Sequence, residues 1–362
     1  MSARIGLMGF YGMHNLGDEA VLEGLLRALE GAVPGVRTTV YPHGPGAVAL
    51  HACVEVRHVR LRNIGAMLRA VREMDALVIG GGGILHDYRL GSPLRYLLWA
   101  MAARLGGKPV MLACVGVGPI RTRLGAAQIR ATAALANVVT VRDEASARWL
   151  RTIGVRKAVS VLADPALIIC PDRPDHAARG SGPAAFVLRQ WPPMRGEPVA
   201  PPRLLAAAVD ATAQRLGCGI ALVPFDSPRD DSFCEAVRGM MEHATSARVA
   251  PRPASPRAAI EELAQARLVV SMRLHALILA TAAGVPVVAL ACDEKISSFM
   301  AATGREEHCL PVETLDPRRL AATCEAAIAK QAESARRIAE SFRELQTRAG
   351  KITGILRDFL AR

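Results

Sequence analysis

The chain has 362 residues and a formal net charge of +12, a length that exceeds the usual size of one core and points to two domains. Half of it is hydrophobic (51%) and only 4% is aromatic, as expected of Ala/Leu/Val-rich helices packed on sheets. The eight cysteines are scattered without Cys-x-x-Cys or paired Cys/His spacing, which argues against a structural zinc site and fits buried thiols in a reducing cytosol.

Met1-Ser-Ala-Arg runs straight into a strand, Ile5–Phe10, and is not read as a signal peptide. A helix is expected over Glu19–Ala32, where Val21, Leu22, Leu25, Leu26 and Leu29 recur at helical spacing. Strand Thr38–Tyr41, helix Asn63–Glu73 and strand Ala76–Ile79 follow, then helix Pro93–Leu105 and strand Pro109–Val115. Helix Ala126–Leu135, strand Val138–Val141, helix Glu144–Ile153 and strand Val159–Leu162 complete the first half. Such strict alternation implies a mostly parallel sheet covered on both faces.

Between Pro171 and Pro183 the apolar periodicity is lost in a run rich in Pro, Asp, Arg and Gly, read as a linker. The pattern then resumes with strand Ala185–Leu188, helix Arg203–Leu216, strand Ile220–Pro224, helix Ser232–His243 and a short strand near Val249. Helix Ala258–Ala266 and strand Leu268–Ser271 precede an uncharged helix that stops at Gly284 and Pro286, followed by strand Val287–Ala291. Helices Ile296–Ala302, Arg318–Lys330 and Ala335–Leu360 close the chain. The expected fold is α/β, with two Rossmann-like domains facing a cleft. Their bounds are 1–172 and 184–335, with a linker at 173–183 and a C-terminal helix at 336–362.

From Leu274 to Cys292 there is no Lys, Arg, Asp or Glu, which superficially resembles a membrane span. The Gly-x-Pro break and the valines beyond it favour a buried helix plus a buried strand, so the chain is expected to be soluble and intracellular. The positive charge is carried almost wholly by arginine. No aromatic-interleaved basic run or nucleic-acid-binding motif accompanies it, so nucleic acid is not the expected partner. An anionic lipid headgroup or lipid diphosphate is a second reading, and an Arg-rich surface without a specific partner a third.

Several motifs fall at strand ends, where open α/β sheets bind ligands. Ser271-Met-Arg-Leu-His275 sets Arg273 and His275 at such an end: a fixed cation and a titratable proton carrier, or else an arginine paired with a neighbouring acid and a helix-capping histidine. In Gly9-Phe-Tyr-Gly-Met-His-Asn-Leu-Gly-Asp18, Asp18 is placed either to cap the following helix or to act as a general base. Gly80-Gly-Gly-Gly83 lets backbone amides approach a ligand closely, yet matches neither a dinucleotide fingerprint nor a Walker loop. Arg142 at the end of Val138–Val141 is a further candidate ligand for an anion, with Asp143 capping the next helix. Lys295 offers another cation after Val287–Ala291. The acids Asp226 to Asp231 are read as a solvated loop rather than a metal or sugar site.

Taken together and in this order, these segments resemble the polysaccharide pyruvyl transferase family, most closely its bacterial branch that pyruvylates secondary cell-wall polymers. The carrying motifs include Gly80-Gly-Gly-Gly-Ile-Leu-His-Asp87, Val115-Gly-Val-Gly-Pro119, Val141-Arg-Asp143, Ala163-Asp-Pro165, Leu188-Arg-Gln-Trp191, Pro224-Phe-Asp226 and Ser271-Met-Arg-Leu-His-Ala-Leu277. The resemblance implies a GT-B-like fold and transfer of a pyruvyl unit from phosphoenolpyruvate to two hydroxyls of one sugar. A cyclic ketal forms and phosphate is released. It further implies a lipid-linked saccharide acceptor at the cytoplasmic membrane face, typically with N-acetylmannosamine modified, and no cofactor beyond phosphoenolpyruvate as co-substrate.

On this resemblance His275 protonates the donor, Asp18 accepts a hydroxyl proton, and Arg142 acts with them. The donor set is Arg273, Leu274, Lys295, Gly81 and Gly82, and the acceptor set is Asn15, Asp87, Arg89 and Arg189. No metal is expected, and the oligomeric state is left open. Two other readings stand beside it: a GT-B nucleotide-sugar glycosyltransferase, for which no base or ribose pocket is evident in the sequence, and a non-enzymatic subunit at the membrane.

Overall fold

A computed structural model describes residues 3–46, 54–87, 92–171, 182–190 and 201–361. Arg89, Trp191 and all of the expected linker except Gly182 and Pro183 lie outside these residues. The chain divides into two units, Met1–Met13 with Asp18–Ile169 and Leu345–Arg362, and His14–Gly17 with Cys170–Glu344.

The first unit begins β1 (Arg4–Met8), α1 (Leu16–Ala32), β2 (Arg37–Tyr41), β3 (Val54–Val56) and α2 (Ile64–Glu73). It continues β4 (Ala76–Gly80), β5 (Gly83–Leu85), α3 (Ser92–Leu105), β6 (Val110–Val117), α4 (Arg123–Leu135), β7 (Val138–Val141), α5 (Glu144–Thr152) and β8 (Ser160–Val161). The strands are parallel in the order β3-β2-β1-β4-β6-β7-β8, with β5 set against β6. Alternation along each strand divides the core. Leu77 and Ile79 of β4 pack with α2, α3, α4 and α5, whereas Ala76 and Val78 face α1. Both faces are therefore covered, which is why these strands read as unbroken apolar runs.

The second unit comprises β9 (Ala184–Val187), α6 (Pro202–Leu216), β10 (Ile220–Leu222), α7 (Arg229–Arg238), β11 (Ala247–Val249), α8 (Pro256–Ala264) and β12 (Leu268–Ser271). Then come α9 (Leu274–Ala282), β13 (Val287–Ala291), α10 (Glu294–Ala302), β14 (Cys309–Pro311) and α11 (Pro317–Ala329). The last helix, α12 (Gln331–Leu360), starts in this unit, and its final turns belong to the first. There Ile352, Leu356 and Phe359 join the core beside α1, at helical spacing. The second sheet is also wholly parallel, in the order β11-β10-β9-β12-β13-β14. The expected α/β architecture is borne out.

The charge-free stretch resolves as α9 and β13. Leu277, Ile278 and Leu279 are all buried, each contributing about 1.5–3 kcal/mol of transfer free energy. Gly284, at φ +71°, then ends the helix in the left-handed conformation a C-terminal glycine supplies. No helix among the described residues is long and apolar enough to cross a membrane.

Two segments differ from expectation. α1 begins at Leu16, so Asp18 lies inside its first turn. Asn15 stands at the capping position, its Oδ1 accepting the Gly17 N–H at 3.0 Å. The acid segment expected as a solvated loop instead runs into α7, where Asp230 is buried. An ion pair 43 residues away along the chain puts it there, and local polarity could not show that.

Candidate active site

In the first unit, β4 and β5 are joined by Gly81 and Gly82 at φ +73° and +70°. At either position a side chain meets more than an unfavourable backbone. A Cβ on Gly81 would lie 1.9 Å from Val21 Cγ1, and one on Gly82 would lie 2.9 Å from Asp18 Oδ1. The Asp18 carboxylate thus rests on the bare backbone of this turn, and Tyr11 Oη braces it by donating to the Gly80 carbonyl.

Arg142 follows β7 and is buried. Its guanidinium donates to Asp164 Oδ2 at 3.0 Å and to Asp143 Oδ2 at 3.3 Å. A Cβ on Gly116 would fall 2.8 Å from the centre of that guanidinium, so β6 needs a glycine there to admit it. Asp143 caps α5 through the Ser146 N–H, as its place in the sequence suggests. Asp87 accepts from the Arg121 and Thr122 N–H groups and from the Thr122 hydroxyl, organising the entry to α4. A role in acceptor binding for this residue would come on top of that structural one.

In the second unit, β10, β9, β12 and β13 are adjacent, so the residues after their carboxyl ends form a row. Asp226 follows β10, Arg189 follows β9, Arg273 and His275 follow β12, and Asp293 and Lys295 follow β13. The turn after β12 is fixed by Ser271, whose Oγ accepts the Arg273 N–H at 2.8 Å and donates to the Arg273 carbonyl at 3.0 Å. The Arg273 side chain, 8% exposed, donates through Nη2 to Asp230 Oδ1 at 2.5 Å and lies 3.5 Å from Asp226 Oδ2. Asp230 is itself oriented by the Phe225 and Asp226 N–H groups. Arg273 Nε is buried with no hydrogen-bond partner among the described residues.

The segment 14–17 is bound to this row. Asn15 forms an antiparallel bridge with Asp226, Leu16 N–H donates to the Phe225 carbonyl at 3.0 Å, and Ser227 N–H donates to the His14 carbonyl at 3.2 Å. His275, half-buried in the first turn of α9, packs the Nδ1 side of its ring against Gly17. Leu274 beside it is buried. Lys295 pairs with Asp293 at 2.9 Å.

The electrostatics of the row are tense. Burial, and then repulsion from Arg273, pull Arg189 below its ordinary value. Burial raises the Asp226 carboxyl, and Arg273 opposes that rise. Two guanidinium groups facing three carboxylates form a site that can exchange an internal partner for a bound anion. Each cation expected to hold the donor thus has an acid beside it: Asp164 for Arg142, Asp230 for Arg273, Asp293 for Lys295. Gly17 and Asp230 are site residues without a sequence signal of their own: Gly17 stands in the Asn-Leu-Gly-Asp motif, but nothing local shows that a histidine packs on it.

The cysteines fit the buried-thiol expectation where they are deepest. Burial pushes Cys114, Cys234 and Cys324 up to about 12, leaving them protonated and inert.

Among solved structures, the chain is similar to Anabaena HepE in complex with UDP, with 13% identity, TM-score 0.65 and 99% of each chain covered. It is also similar to S. aureus MnaA bound to UDP (11%, TM-score 0.62, 94% of this chain and 91% of that one). A third is the Methanocaldococcus jannaschii UDP-GlcNAc 2-epimerase (12%, TM-score 0.55, 91% and 93%). At such identities the likeness establishes a fold of the GT-B type and nothing of the reaction. No protein of curated function matches the sequence. The family model for polysaccharide pyruvyl transferase does match, over residues 15–294, a span that takes in both Asn15 and the Arg273–His275 turn, and the chain belongs to that family.

Proposed function

We propose that this protein transfers the pyruvyl group of phosphoenolpyruvate to a sugar of a lipid-linked cell-wall or surface polysaccharide precursor, forming a cyclic ketal. The supporting observation is the row at the carboxyl ends of β9, β12 and β13, where Arg189 and Lys295 follow the strands on either side of the one that leads into Arg273 and His275. Phosphoenolpyruvate carries a carboxylate and a phosphate, and planar guanidinium groups match both. Arg273 takes one of these anionic groups. Arg189, expected from the sequence on the acceptor side but close enough to Arg273 to be repelled by it, takes the other, with Lys295 as a further point charge and Leu274 as an apolar neighbour.

His275 gives a proton to the methylene carbon, which leaves the central carbon electrophilic. One sugar hydroxyl adds there, its proton passing to Asp18, which follows Gly17 directly in the chain. The second hydroxyl then displaces phosphate and closes the ring, its proton leaving with the phosphate. Gly81 and Gly82 present the turn against which Asp18 rests, and Asn15 holds the entry to α1.

The test incubates the full chain and a lipid-linked amino-sugar acceptor with either phosphoenolpyruvate or a panel of UDP-sugars. Phosphate release and a product heavier by one ketal are expected. Sugar transfer from a nucleotide donor, with phosphoenolpyruvate inert and unbound, overturns the proposal.

A further inference from the structure

The first unit gathers its exposed apolar side chains in one place. Among the described residues, the large hydrophobic side chains left open to solvent are Ile64, Leu68, Met101, Leu105, Leu124 and Met240. All but Met240 stand on α2, α3 and α4, which cover the same face of the first sheet, with α3 packed against both neighbours. Ile64 and Leu68, one helical turn apart, border the side of α2 that buries Met67 and Val71, while Met101 and Leu105, also one turn apart, point outward opposite the buried Trp99 and Ala103. Exposure reaches 62% at Ile64 and 84% at Leu105. Single exposed apolar residues are ordinary, but five gathered on three adjoining helices, in pairs on α2 and α3, are not.

The charge on these helices is one-sided. α3 and α4 contain no Asp or Glu, and α2 has only its last residue, Glu73, which is paired with Arg57. Arg62, Arg69, Arg72, Arg104, Arg123 and Arg130 are all exposed on them or at their edges. α12 differs, with Glu333, Glu340, Glu344 and Asp358 interspersed among its basic residues.

We propose that the outer face of α2, α3 and α4 docks on an anionic bilayer surface. The arginines lie at the headgroup phosphates, and the apolar stripes enter the boundary between headgroups and acyl chains. Anionic lipid uses both features together. A nucleic acid would answer the arginines and leave the stripes in water. A second copy of the chain would set one strongly cationic face against another. The surface shares no residue with the donor row, so its docking role holds whichever donor the enzyme uses.

The experiment is co-sedimentation of the full chain with mixed phosphatidylglycerol–phosphatidylcholine vesicles, and with phosphatidylcholine alone, at low salt. The wild type sediments with the mixed vesicles and far less with the neutral ones. Leu68→Glu/Leu105→Glu, at solvent-exposed positions, keeps its melting temperature and its turnover of a water-soluble acceptor while binding weakens at least about tenfold. Arg69→Gln/Arg72→Gln weakens binding without disturbing the stripes, and Met240→Glu leaves it unchanged. Equal sedimentation with both vesicle types overturns the proposal, and so does undiminished binding by the Leu68→Glu/Leu105→Glu variant.

Discussion

A Cβ placed on Gly17 would lie 2.1 Å from Nδ1 of His275 and 2.7 Å from its Cγ. The imidazole therefore occupies the space where any other residue at position 17 would carry its side chain. Gly17 lies in the first turn of α1, where exchanging glycine for alanine ordinarily gains about 0.5–1 kcal/mol.

Gly17→Ala is expected to act in two opposite directions: it leaves folding intact, yet pushes His275 from its position. Turnover should fall by about a hundredfold or more, the range lost when a general acid is displaced, with donor affinity little changed. Melting curves alongside steady-state kinetics test this, and wild-type turnover by the folded variant would refute it. His275→Ala should give the same kinetic pattern, and adding Gly17→Ala to it should cost little further, because both act on one group.

Asp226 holds a negative charge 3.5 Å from the Arg273 guanidinium, where it competes with an anionic donor. Asp226→Asn removes that charge and nearly conserves shape, so phosphoenolpyruvate should bind about three- to tenfold more tightly, a Coulomb effect of modest effective dielectric. Because burial raises this carboxyl above its ordinary value, wild-type affinity should improve further as acid protonates it. That added pH dependence should vanish in the asparagine variant. Titration calorimetry of both proteins across mildly acid pH decides the matter, and weaker binding by Asp226→Asn would refute it.

Asp230 is 1% exposed and pairs with Arg273. Asp230→Ala leaves a buried guanidinium with only the more distant Asp226, a loss of roughly 3–5 kcal/mol. In a unit of this size that amounts to a fall in Tm of roughly 6 °C or more. Replacing both partners, in Asp230→Leu/Arg273→Met, should restore the part of the stability lost to the unpaired guanidinium, though not the Phe225 and Asp226 N–H bonds that Asp230 accepts, and none of the activity. If the double variant melts as low as Asp230→Ala, the pair is not what destabilises the single one.

The parts of the fold legible in the sequence were those governed by local pattern. The all-apolar β13, the helix ended by Gly284 and the alternation of strands and helices follow from side-chain periodicity and turn chemistry alone. The short strands β3, β5 and β14 were not legible, because three residues carry too little periodicity and Gly83 hides the start of β5 within a glycine run. In the site, the strand-end positions of Arg273 and His275 were readable. What surrounds them was not: the Asp230–Arg273 pair and the Gly17–His275 contact join residues far apart in sequence and depend on the assembled sheet.

His308, 6% exposed, has a buried Nε2 without a hydrogen-bond partner among the described residues. Burial holds it below its ordinary value of 6.5; Arg305 and Lys330 push the same way, and Glu307 opposes them. The unfolded chain therefore takes up a proton near pH 6.5 that the folded chain refuses. Between the two values the unfolded state binds more protons, so stability rises with pH there. The contribution is fully present above about pH 6.5 and is lost as pH falls through the depressed folded value. Tm should thus drop between neutral and mildly acid buffer, and the drop should shrink in His308→Gln, which cannot take the proton. Urea unfolding at matched pH values gives the same comparison at constant temperature. An equal loss of stability in wild type and His308→Gln would assign the acid sensitivity to other groups.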